Sequence, residues 1–157
     1  MKKNDIGLID RQVINLLTED GLIPVKDVAK ILGVTGPTVR SRMRKLIQSK
    51  ILKVAGLIDP SKIENFNVAI TVVNLTNHQK LDEKLGIIGN LPNVHWAAVV
   101  TGTYDIIFEV VLSKGMSDLY TFLTRDLAKV GGIRSHETFM VLKGKNKWVS
   151  MPKVLKY

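Results

Sequence analysis

Residues Val25 to Gly56 read VKDVAKILGVTGPTVRSRMRKLIQSKILKVAG, two short amphipathic helical patterns joined by Gly33-Val34-Thr35. The second pattern carries Arg40, Arg42, Arg44 and Lys45, and no acidic residue stands between Asp27 and Asp59. Two short helices across a tight turn, the second one basic, are the sequence form of a helix-turn-helix aimed at nucleic acid. Within the first, Val28, Ala29, Ile31 and Leu32 supply a buried side, and Gly33 suits a left-handed C-terminal residue. Thr35 is placed as the N-cap of the second, with Pro37 tolerated in the first turn, where a missing N–H costs nothing.

The apolar phase of the second helix decides what it displays. Val39, Met43, Leu46 and Ile47 fall at i, i+4, i+7 and i+8 and are expected in the core. Gly36, Pro37, Thr38, Arg40, Ser41, Arg44 and Lys45 are then turned outward, with Thr35 at the start. The N-terminal members are small or hydroxylated and suit base edges, whereas the basic ones farther along suit phosphates. Arg42 borders the two faces, so a phosphate contact and an internal salt bridge both remain open. A solvated basic face is the plain alternative, but it would ordinarily carry acidic partners at i, i+4.

Composition points the same way. The net charge is +9 with an isoelectric point near 9.8, which implies a polyanionic partner. Through Lys62 there are 12 Lys/Arg against 6 Asp/Glu, and from Ile63 onward 11 against 8. The surplus is concentrated around the helical pair. With no cysteine, disulfides, thiolate catalysis and Cys-based zinc sites are excluded. No apolar run is long enough for a signal or membrane segment, and the expectation is a cytoplasmic protein without a membrane anchor.

Outward from that stretch, Ile9, Val13, Leu16 and Leu17 predict a first helix over about Asp10 to Glu19. Ile51, Leu52, Val54, Leu57 and Ile58 predict one or two short strands, the wing of a winged helix-turn-helix. The domain boundaries follow: 1–58 for DNA binding, 59–67 as linker around Asp59-Pro60-Ser61-Lys62, and 68–157 as a second domain. In that second part the pattern alternates. Strands are expected at Asn67 to Leu75, Val94 to Thr101, Tyr104 to Leu112 and Ile133 to Leu142, and helices at Gln79 to Leu91 and from Met116 to Leu127. The order βαββαβ predicts a ferredoxin-like α/β sandwich, so the whole chain is of the α+β class.

Helices of such a fold cover one side of the sheet, yet both sides read as apolar. Tyr104, Ile106, Phe108, Val110 and Leu112 would meet the helices; Ile107 and Val111, with Val73, Ala98 and Val100 elsewhere, are apolar on what should be the open face. A half-apolar open face calls for a cover. Sheet-to-sheet packing of two chains is expected, giving a homodimer that presents two recognition helices to two half-sites.

Residues for catalysis are sparse. His78, His95 and His136 include no pair at metal-ligand spacing, and no phosphate loop, nucleophile elbow or dinucleotide fingerprint occurs. Asp105 and Glu109, four apart on one strand, stand roughly 13 Å apart, which suits surface or interface roles better than a carboxylate pair. Neither metal nor cofactor is expected. The turn Gly102-Thr103-Tyr104-Asp105 offers backbone N–H groups, a hydroxyl, a phenol and a carboxylate. It suits a zwitterionic small molecule, or else a hairpin that needs glycine and an Asp cap.

LIDRQVINLLTEDG near the start, DVAKILGVTGPTVRSRMRKLIQSKIL, the LIDPSKI linker and TGTYDIIFEVV together resemble the Lrp/AsnC family of feast-famine transcriptional regulators over nearly the whole chain. The resemblance implies a non-enzymatic regulator that binds double-stranded DNA. It also implies sheet-mediated dimers, assembly into octamers or other multimers, and an amino-acid effector near the Gly102 to Asp105 turn. Ser135, His136 and Thr138 on the fourth strand join that effector set. Two further readings share the features: an architectural DNA-compacting protein, and a tetrapyrrole decarboxylase of similar layout. The chain departs from the family pattern at Thr35, where serine is usual, at Gly36-Pro37, and at Lys50, where glycine is common. Its basic tail, KGKNKWVSMPKVLKY, is either frayed or engaged: Trp148 is expected on a neighbouring subunit, and Lys143, Lys145, Lys147, Lys153 and Lys156 toward solvent or DNA.

Overall fold

A computed structural model describes residues 6–152, and the chain divides into two compact units, Met1–Gly56 and Leu57–Tyr157. In the first, α1 (Leu8–Glu19), α2 (Val25–Leu32) and α3 (Gly36–Gln48) enclose a core of Val13, Leu17, Val28, Ala29, Val39 and Leu46. Small Ala29 sits in that core, as a close α2–α3 approach requires. Gly33 takes φ 64°, ψ 29°, and the N–H of Val34 closes on the carbonyl of Ala29 at 3.0 Å. This is the glycine-terminated helix end that the sequence predicted.

The end of α3 uses the same device on a less suitable residue. Lys50 has φ 58°, with Lys50 N–H donating to Ile47 O and Ile51 N–H to Leu46 O, each at 3.0 Å. A side chain in left-handed backbone costs about 1–2 kcal/mol, of which glycine's extra unfolded-state entropy returns roughly half. Lys50→Gly is therefore expected to stabilise the N-terminal unit by about 0.5–1 kcal/mol. Hydrogen exchange of the α3 amides should slow to match; an unchanged or faster rate would remove the strain argument.

Three expectations for this unit need correction. Ile31, expected on the buried side of α2, is 60% exposed, and only Val28 and Ala29 of that helix are buried. Ile47, placed in the core by its phase, is 46% exposed, because α1 and α2 reach only the side of α3 that carries Val39 and Leu46. The wing strands also fail to form between Ile51 and Leu57. That segment takes no regular secondary structure, and among the described residues the strand-like contact nearby is an isolated bridge from Ile58 to Val149. Without a neighbouring strand, its β-branched residues have nothing to pair with.

The second unit is a four-stranded antiparallel sheet in the order β2-β3-β1-β4, formed by β1 (Asn67–Leu75), β2 (Val94–Val99), β3 (Ile106–Leu112) and β4 (Ile133–Met140). α4 (Leu81–Gly89) and α5 (Met116–Thr121) lie on one face. Beyond α5 the chain continues as a π-helical turn, Phe122–Leu127, and a 3-10 turn, Ala128–Val130. The helix-side core holds Ala69, Val73, Leu75, Ile106, Phe108, Val110 and Leu112 against Ile88, Leu119, Phe122 and Leu127. Phe108 and Phe122 meet with ring centroids 6.1 Å apart. Val73, expected on the open face, belongs to this core because it pairs with Ile106. Three strands stop short of the predicted ends, at Val99, Met140 and, for β3, at Ile106 on its N-terminal side; Tyr104, expected to meet the helices, therefore lies outside β3 and beside Glu137 on the open face. The helix expected from Gln79 is a 3-10 turn, His78–Lys80, capped by Asn77, followed by α4.

On the other face, Val68 and Val111 pack with Val149 from the tail and with Ile58 and Phe66. Ile70, Ala98 and Ile107 are only partly covered, and Trp96 and Phe139 are 40% and 53% exposed. The tail is thus seated on the sheet at Val149; Lys153 and Lys156 lie outside the described residues. No described helix is long and apolar enough to cross a membrane.

Candidate nucleic-acid interface and effector site

α3 begins as the residues dictate. Thr35 is extended at φ −85°, ψ 152°, and its hydroxyl accepts the N–H of Thr38 at 3.4 Å. The two threonine hydroxyls also share a hydrogen bond of 2.9 Å, which fixes both at the opening turn. Pro37, Arg40, Ser41, Arg44 and Lys45 are exposed, and Gly36 and Thr38 partly so. A methyl on Gly36 would meet the Arg40 guanidinium at 3.8 Å, so the two lie together on one face. Among the described residues, none of Arg40, Arg44 and Lys45 pairs with a carboxylate. Between α2 and α3 a notch of about 310 Å³ is lined by Val25, Met43, Ile47 and Gln48 with Arg40 and Arg44. That gives the exposed Ile47 its surroundings.

Arg42 makes the internal contact, with 41% of its side chain still exposed. Its Nη1 stands 3.8 Å from Oδ2 of Asp10, a carboxylate in the first turn of α1 that is only 6% exposed. The other oxygen, Oδ1, has no hydrogen-bond partner among the described residues. A buried carboxylate at a helix N-terminus is favoured by the dipole, and Arg42 ties it to α3.

The effector candidates gather in part. The loop between β2 and β3 is closed by Val100 N–H donating to Asp105 O at 3.1 Å, with Gly102 at φ 117°. Asp105 is already engaged. Its Oδ2 accepts the N–H of Leu75 at 2.7 Å, and its Oδ1 lies 3.1 Å from His78 Nε2. Tyr104 bonds to Glu137, and that hydrogen bond, then burial, then the negative charge of Glu137, push the phenol above its ordinary pKa. Ser135 accepts a bond from Asn74 Nδ2 at 3.3 Å. His136 and Thr138 do not join this group. They pair with Val73 and Thr71 on the helix-side face, where the Thr138 and Thr71 hydroxyls bond at 3.0 Å. Asn74, His78 and Glu137 escaped sequence reasoning because only the β1–β4 register and the turn before α4 bring them here.

Glu109 is the largest departure. Expected at a surface or interface, it is 1% exposed, with His95 Nδ1 2.8 Å from Oε1 and Lys147 paired to Oε2. Lys147 is therefore turned to Glu109 and only partly exposed, where it was expected toward solvent or DNA. Among the described residues no group of three or more metal-ligating side chains forms.

Known proteins share this layout. Residues 8–47 match the AsnC-type helix-turn-helix domain and residues 68–147 the Lrp/AsnC ligand binding domain. An uncharacterized HTH-type transcriptional regulator of Pyrococcus abyssi is 32% identical over 148 residues, covering 94% of this chain and 92% of that one. The structure of Escherichia coli AsnC superimposes with a TM-score of 0.70 at 23% identity, over 90% of this chain and 95% of that one. A Neisseria meningitidis transcriptional regulator in complex with L-Met does so with a TM-score of 0.73 at 18% identity, over 94% and 97%. With a DNA-reading helix pair in one unit and a ligand-binding sandwich in the other, the chain belongs to the Lrp/AsnC family of transcriptional regulators.

Proposed function

We propose that this regulator binds double-stranded DNA sequence-specifically as a two-fold dimer, and that an amino acid tunes its operator affinity or its assembly into octamers. The observation that carries the reading is the exposed face of α3, where Thr38, Arg40, Ser41, Arg44 and Lys45 stand together without an acidic partner among the described residues. Thr35, Gly36 and Pro37 shape the end that approaches the bases, while Arg42 supports α3 from behind through Asp10.

The dimer reading rests on the open sheet face, where Ile70, Ala98, Ile107 and Phe139 are incompletely covered in one chain. An amino-acid effector is favoured by the ligand-binding domain and by the L-Met complex of the Neisseria relative. Its place is the end of the sheet around Gly102, Thr103, Tyr104, Asp105 and Ser135. Because both Asp105 oxygens are occupied, its part is to hold the loop, leaving N–H groups of Gly102 and Thr103 for a carboxylate. Effector binding then biases one assembly state over another by linkage.

Selection of bound fragments from genomic DNA, with and without a panel of amino acids, tests this. Recovery of a shared sequence whose yield changes with one amino acid supports it. Unselective recovery in every condition would favour an architectural role.

A further inference from the structure

Glu109 sits in the middle of β3 on the face turned away from α4 and α5, and its cross-strand neighbours are Ile70 and Trp96. A carboxylate taken out of water there is costly unless fully paired. The pairing comes from two places distant in sequence. The β2–β3 register slips between Val94 and Trp96, so His95 is the extra residue of a bulge and reaches Glu109 rather than taking a ladder position. The ring's other nitrogen, Nε2, accepts the N–H of Ser150 at 3.4 Å, which places the proton of a neutral imidazole on Nδ1, facing the carboxylate. Lys147 supplies the positive charge.

Both partners of Glu109 thus lead to the tail. Between Lys147 and Ser150, Val149 is fully buried against Val68 and Val111. It exchanges two backbone hydrogen bonds with Ile58, at 2.9 and 3.0 Å. Pro152 is buried as well.

We propose that Glu109 is a latch that holds residues 147–152 as a strap across the sheet, and that the strap in turn pins Ile58, where the chain leaves for the DNA-binding unit. Leu52 packs into the core of the first unit, and Pro60 is buried in the second. Residues 53–57 make no backbone hydrogen bond among the described residues. With the strap seated, the free tether is 53–57; with it released, Ile58 and Asp59 join, lengthening each arm by about 7 Å. That is roughly two base-pair steps of B-DNA. The strap therefore narrows the separations of half-sites that a dimer tolerates. This consequence rests on the reading that the protein binds DNA as a two-fold dimer.

Lys147→Met in the full-length protein removes the latch charge and keeps the apolar stem; Glu109→Gln keeps the shape and removes the buried charge. Hydrogen exchange reports the latch directly. At Ile58 and Val149 it should accelerate about tenfold or more in Lys147→Met, while amides within the β1–β3 ladder keep their rates. Unchanged rates at those two positions would overturn the latch. A series of paired half-sites with increasing separation reports the tether, and the variants should bind tightly over a window about four base pairs wider, about two from each arm. Accelerated exchange with an unchanged window would overturn the tether role. If the unsubstituted protein shows no dependence on separation at all, the two-fold DNA reading fails, and the latch still stands or falls on exchange.

Discussion

Replacing Arg40 and Arg44 together by alanine should lower DNA affinity roughly tenfold to a hundredfold and make the slope of log K against log salt less negative by about 1.8. The two guanidinium groups are exposed on one face of α3 and carry no internal partner among the described residues. Each is free to displace a phosphate counterion, and each lost contact removes about 0.9 from the slope. Because neither side chain supports the core of Val39 and Leu46, thermal stability should change little. Arg42→Ala behaves differently. It strips the partner from buried Asp10, so its effect should appear in stability first, with a smaller change in salt slope. An equal salt slope for the double variant and the unsubstituted protein would mean that DNA lies elsewhere.

The second large effect is expected from Ile107→Asp. Ile107 lies on the open face between Ala98 on β2 and Val72 on β1, and it is only partly covered within one chain. A single chain can solvate a carboxylate there, so the fold persists. Pressed between two sheets, the same carboxylate is buried and unpaired, at a cost of about 3–5 kcal/mol. The variant should sediment as a monomer at concentrations where the parent is dimeric. It should also lose about a hundredfold or more in affinity for a paired site, the contribution of simultaneous engagement, while contacting a single half-site as before. A dimer of undiminished stability would show that the subunits meet through another surface.

Local chemistry was the readable part of the chain. Gly33, Thr35 and Pro37 each answer a backbone requirement set by their immediate neighbours, and the structure places all three as expected. The alternation in Ile106–Leu112 likewise fixed which residues meet the helices. Ile47 shows where periodicity stops being enough: a correct helical phase names a face, but whether a neighbour reaches that far along the face is a tertiary matter. Glu109 was misjudged for a related reason. A carboxylate on the apparent open side of a strand reads as exposed, and its two partners are a bulge residue and a lysine in the tail. Neither the bulge at His95 nor the path of residues 147–152 leaves a periodic signature. The effector group was half legible. The Gly102 to Asp105 turn announces itself, whereas the register of β1 on β4 decides that Ser135 joins it and that His136 and Thr138 face the helices.

The most direct measurement is a competition titration at one fixed salt concentration, comparing an operator recovered from genomic selection with random DNA of the same length, with and without the amino acid that altered the selection. A preference of about a thousandfold or more for the operator, shifted at least about fivefold by the amino acid, is the expected result. A preference near unity that no amino acid alters would contradict a sequence-specific, effector-tuned regulator.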